Sequence, residues 1–140
     1  MAEFKLVISD PKTGKTTQKE IKDQSANAFL NKKIGETVAG ESIDLTGYEF
    51  MITGGSDKSG FPMRKGIQSK RKKILVGKGS VGFSGKNRGY TEKGIVKKKT
   101  VCGDRVDSGI AQINLKITKQ GTAQLFEEKK EAAPEAKVAE

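Results

Sequence analysis

Residues 58–105 constrain the fold more than any other part of the chain. These 48 residues contain 15 Lys or Arg, two acids and nine glycines. Glycine every few residues disfavours a long helix, and a dense set of like charges with few acidic partners repels itself. The segment therefore predicts short strands and long loops, on a surface whose charge the phosphates of a nucleic acid would neutralise.

The basic charge is concentrated in this one segment. The whole chain carries +10 and residues 58–105 alone carry +13, so the flanks together are slightly acidic. A solvated charged face is the alternative interpretation. Such a face usually carries charges of both signs, and only the flanks of this segment show that mixture. We expect one domain at residues 1–122 that includes the basic segment, and an acidic Ala/Glu tail at residues 123–140 that is helical or disordered.

Alternating apolar and polar residues predict a mainly β fold. The alternating or β-rich stretches are Glu3–Ser9 and residues 15–21, 36–44, 47–53, 94–101 and 110–117. Asp10 and Gly14 bound a predicted hairpin turn, Gly54 and Gly55 are expected to stop a strand, and residues 25–33 form the one helical candidate, capped by Ser25. We expect a small barrel of about six to eight short, mostly antiparallel strands, with one short helix and long basic glycine-rich loops.

Two motifs resemble nucleotide-binding loops, and a nucleotide-dependent enzyme is the hypothesis that they favour. Residues 9–16 nearly spell a P-loop, and residues 77–82 match Gly-x-Gly-x-x-Gly, but neither is followed by the helix that such loops require. The chain has no His and one Cys, which leaves no zinc site and no Cys–His nucleophile. We therefore predict no enzyme activity, no cofactor, no metal and no small-molecule substrate.

The lone cysteine, Cys102, is expected to be a small residue at a strand end. A single cysteine allows no internal disulfide and favours a reducing cytosol. The sequence contains no run of about 18 apolar residues, so we expect no membrane association.

The candidate RNA-binding residues are the cations of the basic segment and three aromatic residues near them. The cations are Lys58, Arg64, Lys65, Lys70, Arg71, Lys72, Lys73, Lys78, Lys86, Arg88, Lys93, Lys97, Lys98, Lys99 and Arg105. The candidates for stacking on bases are Phe61, Phe83 and Tyr90. Phe61 and Met63 could instead fold back as a lid on the barrel, whereas no nearby apolar strand is expected to bury Phe83 or Tyr90.

Residues 47–64, GYEFMITGGSDKSGFPMR, resemble the signature of the family of small-subunit ribosomal protein six of the archaeal and eukaryotic type. Residues 4–16, 33–35, 71–73, 98–101 and 110–117 are similar to that family as well, in order along residues 3–121. Cys102 departs from the pattern, because the family often places Arg there. The Ala/Glu tail differs from the long basic helix and phosphorylated serines of eukaryotic members, so we expect an archaeal type of chain.

The resemblance implies a β-rich barrel bound to ribosomal RNA and other ribosomal proteins in the small subunit, in the cytoplasm. It makes a structural constituent of the ribosome the first functional hypothesis. A free RNA-binding or RNA-chaperone factor, which would act outside the ribosome, remains the alternative.

Overall fold

The computed structural model describes residues 3–121 and Leu125. Its elements in chain order are β1 (Glu3–Ser9), β2 (Thr16–Lys22), α1 (Asp23–Asn27), β3 (Thr37–Ala39), a 3-10 turn (Gly40–Ile43), β4 (Glu49–Asp57), β5 (Arg71–Gly77), β6 (Lys86–Asn87), β7 (Tyr90–Thr91), β8 (Val96–Cys102) and β9 (Ile110–Lys119). The predicted mainly β class is confirmed. The predicted tail lies outside the described residues except for Leu125, which packs against the core.

Within the described residues, the main sheet has five strands in the order β2-β1-β9-β4-β3, and β5 pairs only with β8. β1 and β9 run parallel, and the other pairs in this sheet are antiparallel. The expected barrel is corrected here, because the sheets of the described residues stay open. The edge strand β3 is only three residues long, and β5 and β8 pair with each other instead of extending the sheet.

The core lies under one face of this sheet, as the alternation predicts. Phe4, Leu6 and Ile8 of β1 are buried, while Glu3 and Lys5 between and before them are exposed. β9 buries Ile113, Leu115 and Ile117 in the same cluster. These central strands therefore form the rigid frame from which the basic segment extends.

The predicted hairpin turn between β1 and β2 is confirmed. The Asp10 carboxylate accepts hydrogen bonds from the Lys12 amide at 2.9 Å and the Thr13 hydroxyl at 3.0 Å. Gly14 takes the left-handed conformation, with φ of 70°, that closes the turn. The chain then continues as β2, so the P-loop-like residues do not open a helix.

The strand expected to stop at Gly54 and Gly55 instead continues through them, and β4 runs to Asp57. Its register against β9 shifts between Ile52 and Gly54, as in a β-bulge. A Cβ on Gly55 would overlap the carbonyl oxygen of Gln112 and lie 3.0 Å from the Met63 sulfur. The glycine is therefore used for close approach between strands, and not as a strand terminator.

The helix is shorter than predicted and begins earlier. α1 starts at Asp23 with Lys22 as its N-cap residue, no side chain caps it, and Ser25 lies inside it. Beyond it, the Asn31 amide donates to the carbonyl of Val106 and the Ile34 amide to that of Asp104. These long-range bonds hold residues 31–34 against the loop before β9, which ends the helical pattern early.

Candidate nucleic-acid interface

The basic segment is organised around a two-stranded ribbon formed by β5 and β8. Arg71 pairs with Cys102 at one end of the ribbon and Gly77 with Val96 at the other. Lys72, Lys73, Lys97, Lys98 and Lys99 lie along the ribbon itself. We call the Gly77 end of the ribbon, together with residues 78–95 that connect its two strands there, the tip; it carries Lys78, Lys86, Arg88 and Lys93. We call the Arg71 end the foot. The segments that lead into and out of the foot carry Lys58, Arg64, Lys65, Lys70 and Arg105.

One face of the ribbon is open to solvent. Leu75 and Val96 are 72% and 56% exposed. Leu75 lies opposite Lys98, and Val96 lies opposite Gly77, which places both apolar side chains on the same face. Lys73, two residues before Leu75, shares this face, so the open face of the ribbon combines two lysines with two apolar groups.

The other face of the ribbon is covered by its own connecting loop. Val76 and Val101 on that face are buried, and so is Phe83 in the loop. The Lys99 ammonium lies over the Phe83 ring, 5.7 Å from its centre. The reasoning that no apolar strand would bury Phe83 is therefore wrong, and its ring packs inside the protein in this structure. Tyr90 at the tip is 78% exposed, as expected.

Asp57, at the end of β4, connects the foot of the ribbon to the main sheet. Its Oδ1 accepts hydrogen bonds from the amides of Ser59 at 2.9 Å and Phe61 at 2.8 Å. Its Oδ2 accepts from Arg71, through Nε at 2.7 Å and Nη2 at 2.6 Å, and from the Cys102 thiol at 3.1 Å. A single carboxylate thus holds the loop at residues 57–61, the first residue of β5 and the last residue of β8.

The loop at residues 57–64 is folded onto the protein by these bonds. Met63 is buried in the core cluster, and Phe61 is half-buried against it. The Arg71 guanidinium lies over the Phe61 ring at 5.1 Å from its centre. Of the two alternatives for these residues, Met63 folds back onto the protein as a lid. Phe61 is half-buried, and the Arg71 guanidinium covers one face of its ring.

The network also sets the ionisation of its members. Burial raises the pKa of Asp57, but the hydrogen bonds from Cys102, the Phe61 amide, Arg71 and the Ser59 amide outweigh it and leave that pKa below its ordinary value. Burial, together with the nearby Asp57 carboxylate, raises the pKa of Cys102 to about 11. Cys102 is therefore a protonated thiol that donates a hydrogen bond, and it is no nucleophile at neutral pH.

Most of the predicted cations have no acidic partner within residues 3–121. Among the described residues, only Lys70 and Arg71 of the fifteen form ion pairs, with Asp107 at 3.2 Å and with Asp57. Lys97 donates to the Asn87 side chain at 2.7 Å. All fifteen are exposed except Arg64 and Lys97, which are half-buried. The structure thus brings the predicted cations together along the ribbon, its foot and its tip, and most of them have no acidic partner in the part of the chain that it describes.

The described residues contain no cluster of His, Cys, Asp or Glu able to hold a metal ion. No helix in residues 3–121 is long and apolar enough to cross a membrane. Sequence reasoning missed Asp57 as the anchor of the foot. Its only local signal was the sequence Asp57-Lys58-Ser59-Gly60, in which an Asp can accept from the amide two residues on.

Comparison with known proteins confirms the resemblance. The family model described as ribosomal protein S6e matches residues 4–129. Proteins named small ribosomal subunit protein eS6 are 44% identical over 129 residues in Thermoplasma volcanium, covering 92% of this chain and 96% of the relative, and 43% identical over 117 residues in Halorubrum lacusprofundi, covering 84% and 83%. The relative in Methanocella arvoryzae is 41% identical over 139 residues, covering 95% and 94%. The chain belongs to the ribosomal protein S6e family, whose members are structural proteins and, as predicted, not enzymes.

Proposed function

We propose that this protein is a structural component of the small ribosomal subunit that binds ribosomal RNA through residues 58–105, beside other ribosomal proteins, in the cytoplasm. The relatives carry the name of a small-subunit protein. The observation that supports the finer statement is the β5–β8 ribbon, a pair of strands with one open face, rich in cations that lack acidic partners among the described residues.

Cations without partners bind phosphates efficiently, because no ion pair has to be broken first. Each phosphate contact releases condensed counterions from the RNA, so the affinity should depend steeply on salt. The fixed foot, held by Asp57, orients the ribbon relative to the main sheet. The ribbon can then lie between RNA helices and neutralise phosphates that would otherwise repel each other.

The open face of the ribbon suits the surface of an RNA helix. The minor groove of A-form RNA is wide and shallow and displays sugar edges between its two phosphate rows. Lys73 and Lys98 would contact phosphates, while Leu75, opposite Lys98, and Val96, two residues before Lys98 on its own strand, would contact ribose. At the tip, the exposed ring of Tyr90 is the candidate for stacking on an unpaired base.

A salt titration with matched variants tests this proposal. If eight phosphates are contacted, the logarithm of the affinity for small-subunit RNA should fall with the logarithm of salt with a slope of about −6. The variant K73Q/K98Q should reduce the steepness of that slope by about 1.5. The control K12Q/K15Q removes the same charge from the exposed β1–β2 turn and should change the slope far less. Equal effects of the two variants, or a slope near zero, would refute the proposed interface.

A further inference from the structure

A cavity of about 620 Å³ lies at the foot of the ribbon. Its walls come from the residues just before β5, from the end of β8 and from the loop between β8 and β9. Cys102, Val106 and Ile110, which are all buried, give it an apolar floor. Its volume falls in the range, about 300–1,000 Å³, in which proteins bind small organic groups.

The rim of this cavity is polar and carries both signs of charge. Lys70 is paired with Asp107, and Arg71 with Asp57, so four of its charged groups are already matched. Arg105 on the rim is exposed and makes no ion pair with any described residue. Acids at the rim disfavour a bare phosphate, and the unpaired arginine disfavours a cation.

A nucleotide has the chemistry that matches this arrangement. Its phosphate would pair with Arg105, its base would rest on the apolar floor, and the donors of the base would meet the Asp107 carboxylate. The amide group of Gln68 offers a further donor and acceptor at the wall. Bases are also held in RNA–protein complexes by contact with the plane of an arginine guanidinium, and Arg71 lies in this wall.

We infer that the cavity receives one unpaired nucleotide that is turned out of an RNA helix, such as a single-nucleotide bulge. This inference rests on the proposed function, because the cavity lies among the foot cations that would hold the flanking phosphates. The exposed Arg105, which makes no ion pair with any described residue, supplies that attraction at its entrance. An unpaired base is the group that RNA can extend into such a cavity at the lowest cost, since no base pair has to be broken.

The test compares two RNA hairpins that differ only in one unpaired adenosine, with binding measured by fluorescence anisotropy at a fixed salt concentration. The wild-type protein should bind the bulged hairpin tighter by about tenfold, the order of magnitude expected for one held base. R105Q removes the proposed phosphate partner and should abolish most of this preference. S108W places a bulky side chain at the exposed Ser108 on the cavity wall without changing charge, and should abolish it too.

K86Q is the matched control, because Lys86 is an exposed cation at the tip, in the segment that joins the far ends of β5 and β8. It should weaken the binding of both hairpins by a similar factor and keep the preference. Circular dichroism confirms that each variant is folded. A tight, salt-dependent affinity that is equal for both hairpins would overturn the cavity inference and leave the proposed function standing. A preference that survives both R105Q and S108W would place the bulge elsewhere and would also overturn the cavity inference. Binding of both hairpins that is absent or independent of salt would instead refute the proposed function.

Discussion

Replacing Asp57 with asparagine should destabilise the protein well beyond what its small change in shape suggests. In the native structure, Oδ1 of Asp57 accepts hydrogen bonds from two backbone amides, and Oδ2 accepts hydrogen bonds from Arg71 and from the Cys102 thiol. Asparagine offers one oxygen and one NH2 group. Whichever way the amide turns, one set of donors faces an NH2 group that cannot accept a hydrogen bond.

The magnitude follows from the bonds that are lost. Hydrogen bonds to a charged group contribute about 1.5–3 kcal/mol to stability, and the Asp57 side chain is buried. We therefore expect D57N to lower the free energy of unfolding by about 2–3 kcal/mol, which corresponds to about 8–12 °C in Tm for a domain of this size. Urea and thermal unfolding followed by circular dichroism measure both quantities.

D44N is the matched control, because it makes the same chemical change at an exposed site. Asp44 is 92% exposed, and its ammonium partner Lys19 lies 3.7 Å away. Its backbone is left-handed, with φ of 61°, a conformation that asparagine tolerates. Its stability should stay within about 0.5 kcal/mol of the wild type. If D57N were as mild as D44N, the account of Asp57 as the anchor of the foot would be wrong.

The effect of D57N should also depend on pH. Hydrogen bonds lower the pKa of folded Asp57 below its ordinary value of 3.8, so its stabilising contribution is complete well above that value and is lost as pH falls through the folded pKa. The difference in Tm between wild type and D57N should therefore be constant near neutral pH and shrink in strong acid. A difference that grew on acidification would contradict the assigned direction.

Three further predictions follow from the strands and loops. G55A should lower the free energy of unfolding by about 1–3 kcal/mol, because its methyl group would overlap the Gln112 carbonyl. G54A should lower it less, because a methyl group on Gly54 would meet open space. Urea unfolding measures both variants. Cys102 should react with a thiol reagent far more slowly in the native protein than in the unfolded chain, because it is buried and its pKa is raised to about 11. Backbone amides of residues 86–94 at the tip should exchange hydrogen rapidly in the free protein and slowly in the assembled small subunit. The reason is that most of these side chains are exposed, so the free tip buries little surface. Equal protection in both states would mean that the tip folds without RNA.

The central strands could be predicted from the sequence because their signal is local. The alternation of Phe4, Leu6 and Ile8, and that of Ile113, Leu115 and Ile117, places each set on one face of a strand whatever its neighbours are. Sheet closure has no such signal. It depends on whether edge strands meet, and here β5 and β8 pair with each other, which alternation within either strand does not reveal.

Glycines and isolated aromatic residues misled the prediction for one common reason, which is that their partners are distant in sequence. Gly55 resembles a strand terminator until Gln112 is brought against it. Phe83 resembles an exposed aromatic residue until its loop folds back onto the face of the ribbon that carries Lys99 and Val101. Charge density alone grouped the cations into one segment of the sequence, and the structure places that segment on the β5–β8 ribbon and its two ends. The role of Asp57 had no such signal, because it depends on Arg71, 14 residues away.

Co-sedimentation tests the central claim most directly. Tagged wild-type protein, K73Q/K98Q and K12Q/K15Q would be expressed in an archaeal host, and lysates would be run on high-salt sucrose gradients. Wild type and K12Q/K15Q should move with the small subunit, and K73Q/K98Q should be reduced there and appear among free proteins. Wild-type protein that stays at the top of the gradient, apart from the small subunit, would contradict the account and favour a free RNA-binding factor.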